Sequence, residues 1–451
     1  MDVVGRAERL GQLAEQLAAG KLALPDYLAE LQERFERVEP EIQAFEPEPG
    51  RFERLAREAE TLLAAYPQAD DRPPLFGVPV GIKDIYHVEG FVTRAGTIPP
   101  PERLQGPEAE AVHLLKRAGA LILGKTVTTE FGYFAPGPTR NPHNQDHTPG
   151  GSSSGSAAAV GAGLCSLALG SQTIGSIIRP AAYCGVVGYK PSYGRISRVG
   201  MIPLAPTADH TGFLTTDAVS ARLAASLLCY DWSSREGRPR PVLGVPEGTY
   251  LEYADNVAVD HLHRAIEVLE QAGIVTRPVP MLDDFDQIQR THRRLVAGEA
   301  ARVHQRWYAD YVETYHPTTL ELVKDGMAIS DDELVAARDS CLVLRHQVTR
   351  LMDEYGIDMW ITPSATGPAP KGLANTGDPV MNLPWSHAGL PALGLPAGLA
   401  PNGLPLGVQL VGRWFADEEL LAQSLTIELG LAPLGGRLFK LVGGDDAARP
   451  E

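Results

Sequence analysis

Little in this sequence could hold a metal, a membrane or a nucleic acid. It has only four cysteines, Cys165, Cys184, Cys229 and Cys341, none in CxxC spacing. A zinc site or a disulfide framework is therefore disfavoured, and reduced, mostly buried thiols are expected. Among twelve histidines only His143/His147 and His261/His263 cluster, without carboxylate or cysteine company at ligand spacing, so no metal is expected. Basic residues are outnumbered, Lys+Arg 40 against Asp+Glu 56, for a formal net charge of −16. With no basic block to neutralise phosphates, nucleic acid and anionic membrane surfaces are poor partners. Residues 1–40 lack the apolar core of a signal peptide, and the expectation is a soluble cytoplasmic protein.

What the chain has in excess is glycine and proline, 46 and 37 in 451 residues, and much of that excess lies in two stretches without Asp, Glu, Lys or Arg. Thr148 to Ile178 carries seven Gly and seven Ser in 31 residues, too polar and too flexible for a membrane span. Pro379 to Gly412 holds six prolines in 34 residues and cannot be one helix. Both read as a buried centre of short strands, tight turns and closely approaching backbone.

Around them, apolar spacing predicts a helical N-terminal layer (Leu10, Leu13, Leu17, then Tyr27, Leu28, Leu31, with Pro25 at a helix start). Strand-like runs follow at 77–82 and 120–125 with a helical stretch at 108–119 between them. The same alternation returns at VLGVPEG, Asp260–Ala272 and IVTRPVP. Residues 285–354 are charged and helical in spacing, ending in the strand-like MWITPS. Alternating strands and helices argue for an α/β layered fold.

Four readings compete for the Gly/Ser stretch. A linker would not run into AAAVGAGL and CGVVGYKP. Gly151-Ser152-Ser153-Ser154-Gly155 matches G-x-S-x-G, with Asp358 and His387 following in the order of a Ser153–Asp358–His387 triad, yet the elbow needs a strand before it and NPHNQDHTPG is polar and proline-broken. A phosphate loop lacks its GKS or GKT. The fourth reading pairs the stretch with GVPVGIKD at 77–84, where an apolar run invites a buried Lys83; lowering its pKa by three units takes on the order of 4 kcal/mol. A neutral amine there is a base.

Taken together, GVPVGIKD, GGSSSGSAAAVGAGL and GSQTIGSIIRPAAYCGVVGYKPSYGRIS, with 69 residues from Lys83 to Ser152 and 24 from Ser152 to Ser176, resemble the amidase signature family of Ser–cis-Ser–Lys hydrolases. NLPWSHAGLPALGLPAG and GLPLGVQLVGRWFADEELL are similar to it too, so the resemblance spans roughly residues 5–430. It implies a three-layer α/β/α sandwich around a central mixed β-sheet, as a single domain over 1–451: an N-terminal helical layer (1–70), a catalytic core (71–230), an α/β and variable helical substrate region (231–360), and a C-terminal return to the core (361–440). It also implies Lys83 as base, Ser152 as bridging serine after a cis peptide bond, and Ser176 as nucleophile. The backbone of Thr173, Ile174, Gly175 and Ser176 would form the oxyanion hole. No cofactor is implied.

The chain departs from the family pattern at Gln172, where an Asp is usual, at Ile178, where an Arg is usual, and at Ile174, where a Gly is usual. Arg179, one place after the missing Arg, is a candidate for binding a substrate carboxylate or for bonding loop carbonyls. Phe131 and Tyr133 are candidate pocket-wall residues, equally good as core; Asp209 reads as backbone support. The resemblance implies hydrolysis of a C–N bond in a small amide, carbamate (urethane) or carboxylated amide, by a monomer or homodimer. The alternatives are the glutaminase subunit of an amidotransferase complex and an inactive binding or scaffold protein of the same fold.

Overall fold

The computed structural model describes residues 8–97, 101–235 and 238–435. The chain opens with three helices, α1 (Leu10–Ala18), α2 (Leu24–Ile42) and α3 (Arg51–Ala65), each burying one apolar face. Two parallel strands, β1 (Pro79–Lys83) and β2 (Leu121–Thr126), then flank α4 (Glu110–Arg117). The Gly/Ser stretch becomes α5 (Ser154–Gly161), β3 (Leu167–Gln172) and α6 (Ile178–Cys184), followed by β4 (Val187–Lys190), β5 (His210–Thr215) and α7 (Ala218–Leu228). A second parallel pair, β6 (Val242–Glu247) and β7 (Val275–Pro280), flanks α8 (Asn256–Gln271). The charged region folds as α9 (Phe285–Tyr311), α10 (Pro317–Met327) and α11 (Asp331–Glu354). The chain returns through β8 (Met359–Pro363), α12 (Leu383–His387), β9 (Ala392–Leu399), β10 (Pro405–Val411) and α13 (Asp417–Gly435).

Among the described residues ten strands form one sheet in the order β2-β1-β3-β5-β4-β9-β10-β8-β6-β7. Both ends of the sheet are parallel and the middle is antiparallel. The parallel ends follow from the helix-bearing connections, since parallel neighbours need a crossover and a helix fills it. Strands β1 to β5 are buried along their whole length, as a sheet covered on both faces must be. β7 is the exposed edge, and Arg277, Pro278 and Pro280 leave it little to offer another strand. The mixed sheet flanked by helices is the α/β architecture expected. Among the described residues no helix is long and apolar enough to cross a membrane.

Candidate active site

Lys83 ends β1, the second strand of the sheet, and is fully buried. Its Nζ lies 2.7 Å from Ser152 Oγ and 2.9 Å from Ser171 Oγ. Burial drives the Lys83 amine well below its ordinary pKa, opposed by the negative field of Asp209. Burial therefore favours the neutral amine, whose lone pair can take a proton, relative to an exposed lysine.

Ser152 follows a cis Gly151–Ser152 peptide bond and leads into α5, a helix of small residues. A Cβ at Gly155 would run into the backbone of Ala44 and Val127, whose carbonyl accepts the Gly155 N–H at 2.9 Å. Only a small-residue helix seats Ser152 this deep in the sheet. Its carbonyl accepts the Thr129 N–H at 3.3 Å, and Gly132, at φ 73°, comes close over its hydroxyl. The next amide, Ser153 N–H, donates to Ser176 O at 3.3 Å, which ties the chain after Ser152 to the backbone of Ser176. Ser176 is 8% exposed against 1% for Ser152, and among the described residues its Oγ makes no hydrogen bond, so it is not held back by a partner in the resting site.

Residues 173–176 form the turn between β3 and α6. Thr173 Oγ1 donates to Asp209 Oδ1 at 2.6 Å, and Asp209 Oδ2 accepts the N–H groups of Leu204 and Ala205 at 2.9 and 3.0 Å. Asp209 therefore braces backbone, and burial pushes its carboxyl up to about 6. Gln172 Oε1 accepts the Ile177 and Ile178 N–H groups at 2.8 and 3.0 Å. The four amides before them, on residues 173–176, donate to no protein acceptor among the described residues. Backbone donors left free in this way can stabilise a developing negative charge.

The structure redirects several expectations. Arg179 is 1% exposed and spends its guanidinium on Gly377 O (2.7 Å), Gly151 O (2.7 Å) and Thr376 Oγ1 (3.1 Å). Its two terminal nitrogens thus pin the loop beside Ser152, the second of the two roles expected of it, while its buried Nε has no partner among the described residues. Phe131 is buried in an aromatic cluster with His304, Trp307 and Tyr315, at centroid distances of 4.5, 5.5 and 5.7 Å. Its surroundings are those of a core residue, the second of the two roles expected of it. Tyr133 is half-buried, packed on Phe134 and on the small cluster around Leu295 and Val296.

The Ser153–Asp358–His387 triad does not assemble. Ser153 Oγ donates to Ser171 O, Asp358 accepts from Val242 N–H, and His387 pairs with His292 and Ser340. Among the described residues no three potential metal ligands lie together. Two side chains that sequence reasoning passed over do enter the site. Ser171 reaches Lys83 because β3 runs beside β1, a register that no motif spells out. Ser386 sits inside the quoted NLPWSHAGLP without any mark of its own; its Oγ accepts from Gln172 Nε2 (3.0 Å) and donates to Ile174 O (2.6 Å).

Comparison with known proteins agrees with this fold. A crystallographically determined amidase superposes with a TM-score of 0.85 at 32% identity, over 95% of this chain and all of that one. The peptide amidase of Stenotrophomonas maltophilia superposes with a TM-score of 0.79 at 25% identity, over 93% of this chain and 96% of that one. The sheet and its helices are thus those of an amidase. The amidase family model matches residues 26–421, and the chain belongs to that family, the amidase signature hydrolases that act on C–N amide bonds. In sequence it is also 30% identical over 477 aligned positions to one subunit of the glutamyl-tRNA(Gln) amidotransferase of Geobacter sp. (strain M21), covering 92% of this chain and 96% of that protein.

Proposed function

We propose that the chain hydrolyses a C–N bond of a small, uncharged amide or carbamate through an acyl-enzyme on Ser176. The observation that carries this reading is a fully buried Lys83 amine 2.7 Å from Ser152 Oγ, with its pKa held well below the ordinary value by burial. A serine hydroxyl is a weak nucleophile until a base takes its proton. Ser176 Oγ attacks the carbonyl carbon as its proton passes to Ser152 Oγ, whose own proton moves to Lys83 Nζ. Negative charge gathers on the carbonyl oxygen and is met by the free N–H groups of the 173–176 turn. Lys83 returns a proton through Ser152 to the departing nitrogen, the C–N bond breaks, and water then cleaves the acyl ester by the same relay. Both terminal nitrogens of Arg179 are engaged by Gly151 O, Gly377 O and Thr376 Oγ1, which favours uncharged substrates over carboxylated ones.

A second reading rests on the nearly full-length likeness to that amidotransferase component. In it the chain would hydrolyse glutamine and hand ammonia to a protein partner. Intact-mass spectrometry after fluorophosphonate treatment, with a panel of anilides, carbamates, carboxylated amides and glutamine on wild type and Ser176→Ala, separates the two. A single adduct on Ser176 and turnover of neutral amides or carbamates, lost in the variant, supports the first. Turnover confined to glutamine, with a co-purifying partner, supports the second, and an adduct on Ser153 refutes both assignments of the nucleophile.

A further inference from the structure

We infer that Ser386 is a positioning residue for transition-state stabilisation: its hydroxyl, aimed by Gln172, holds the peptide unit between Ile174 and Gly175 with its N–H turned toward the reacting carbonyl. The inference rests on the reading of Ser176 as nucleophile and assigns the group that orients its oxyanion turn.

The proton directions close without ambiguity. Gln172 Oε1 is claimed by two backbone donors, Ile177 and Ile178 N–H, so the amide cannot be flipped and its Nε2 faces Ser386 Oγ. Ser386 Oγ accepts there, which leaves its one proton for Ile174 O, a group that can only accept, at 2.6 Å. The Ile174 carbonyl and the Gly175 N–H belong to one planar trans unit and point in opposite directions. With the carbonyl tied to α12, the N–H is turned away from α12, and among the described residues it meets no protein acceptor. A hydrogen bond received at the carbonyl also polarises the unit and strengthens its N–H as a donor.

Packing keeps this geometry tight. A Cβ on Gly175 would strike the Asn382 side chain and lie 2.8 Å from Pro379 Cβ, so the segment around α12 presses directly on the turn. Ser386 and Gln172 are themselves 2% and 1% exposed, so water does not compete for the chain of bonds. The residue type at 172 matters as much as its position. An ionised carboxylate there would accept the Ile177 and Ile178 amides equally well, but it has no proton to donate to Ser386 and would draw the serine's proton to itself. The neutral Gln172 and the hydroxyl of Ser386 work as a pair.

The test is the rate at which a fluorophosphonate labels Ser176, resolved into its maximal rate and its half-saturating concentration, for wild type, Ser386→Ala and Gln172→Glu. The phosphoryl oxygen occupies the same turn as a substrate oxyanion, so no knowledge of the substrate is needed. Removing an oxyanion donor outright costs about 10²–10³ in rate; with the donor present but loosely aimed, the maximal rate should fall about 10- to 100-fold in both variants, with half-saturation within about twofold. Gln172→Glu keeps the acceptors for Ile177 and Ile178, so it reads the same step even where Ser386→Ala folds poorly. Labelling at the wild-type maximal rate in either folded variant overturns the inference, and so does a loss carried by half-saturation alone. No label on Ser176 in the wild type overturns the parent reading, and this one with it.

Discussion

Replacing Arg179 with Met asks whether this buried cation serves the substrate or the scaffold. The guanidinium donates to Gly151 O, Gly377 O and Thr376 Oγ1. Losing it leaves the buried Gly151 carbonyl and the half-buried Gly377 carbonyl without this donor, at about 1–3 kcal/mol for the first and no more than that for the second, so about 2–6 kcal/mol at most. The guanidinium is itself costly to bury, its pKa pushed down to about 10 by desolvation, and an apolar Met recovers part of that. The net loss expected is therefore in the lower half of the range, about 2–4 kcal/mol. Gly151 O belongs to the peptide unit that leads into Ser152, so loosening it displaces the Ser152 hydroxyl, which the proposed relay uses for every substrate alike. A displacement near 1 Å costs up to about 10²-fold in rate. Denaturant unfolding should show the lowered stability, and kcat/KM should fall by one common factor on neutral and anionic amides. An unchanged unfolding midpoint, with KM raised for anionic amides alone, would refute the reasoning and return Arg179 to the substrate.

Activity should rise with pH along a limb set by Lys83. Burial depresses its pKa, only the neutral amine accepts a proton, and the rate therefore grows as pH climbs through that value and levels above it. A flat kcat/KM from mildly acidic to alkaline pH, with chemistry limiting, would count against a lysine base. Ser171→Ala removes one of the two hydroxyls that locate the amine; the lost hydrogen bond should lower stability by about 1 kcal/mol, and a similar loss at the transition state should lower kcat by about fivefold. Asp209→Asn forces an NH₂ group into a site that meets Thr173 Oγ1 on one side and two backbone N–H groups on the other. A loss of about 1–3 kcal/mol is expected, and wild-type stability measured by denaturant titration would refute the bracing role. The carboxyl of Asp209 is raised to about 6 from 3.8. The folded state thus holds its proton between those values while the unfolded state has released it, and this group's contribution to stability declines as pH rises from about 4 to 6.

Much of this protein was legible before any coordinates. The N-terminal helices show in the spacing of Leu10, Leu13 and Leu17, because an exposed helix must keep one apolar face. The two strand-and-helix alternations foretell β1-α4-β2 and β6-α8-β7, since a parallel pair requires a covering crossover. The absence of charge from Thr148 to Ile178 marks a buried centre, because an unpaired charge there would be too costly to desolvate. Lys83, Ser152 and Ser176 are singled out by the resemblance of three local motifs to the amidase signature family.

What sequence alone left open was direction and company. Arg179 and Phe131 are named by position but defined by what surrounds them, and only the folded chain shows the first spent on carbonyls and the second stacked among aromatics. The G-x-S-x-G match is undone the same way, by three side chains that face different partners. Ser171 becomes a neighbour of Lys83 through strand register, 88 positions away. Ser386 comes to the 173–176 turn from 212 positions beyond Ile174. Composition and local pattern determine which segments must be buried and how each one coils, because those follow from period and desolvation. Which side chains then meet across the sheet is decided by the tertiary structure, because hydrogen bonds depend on distances in space that no spacing along the chain records.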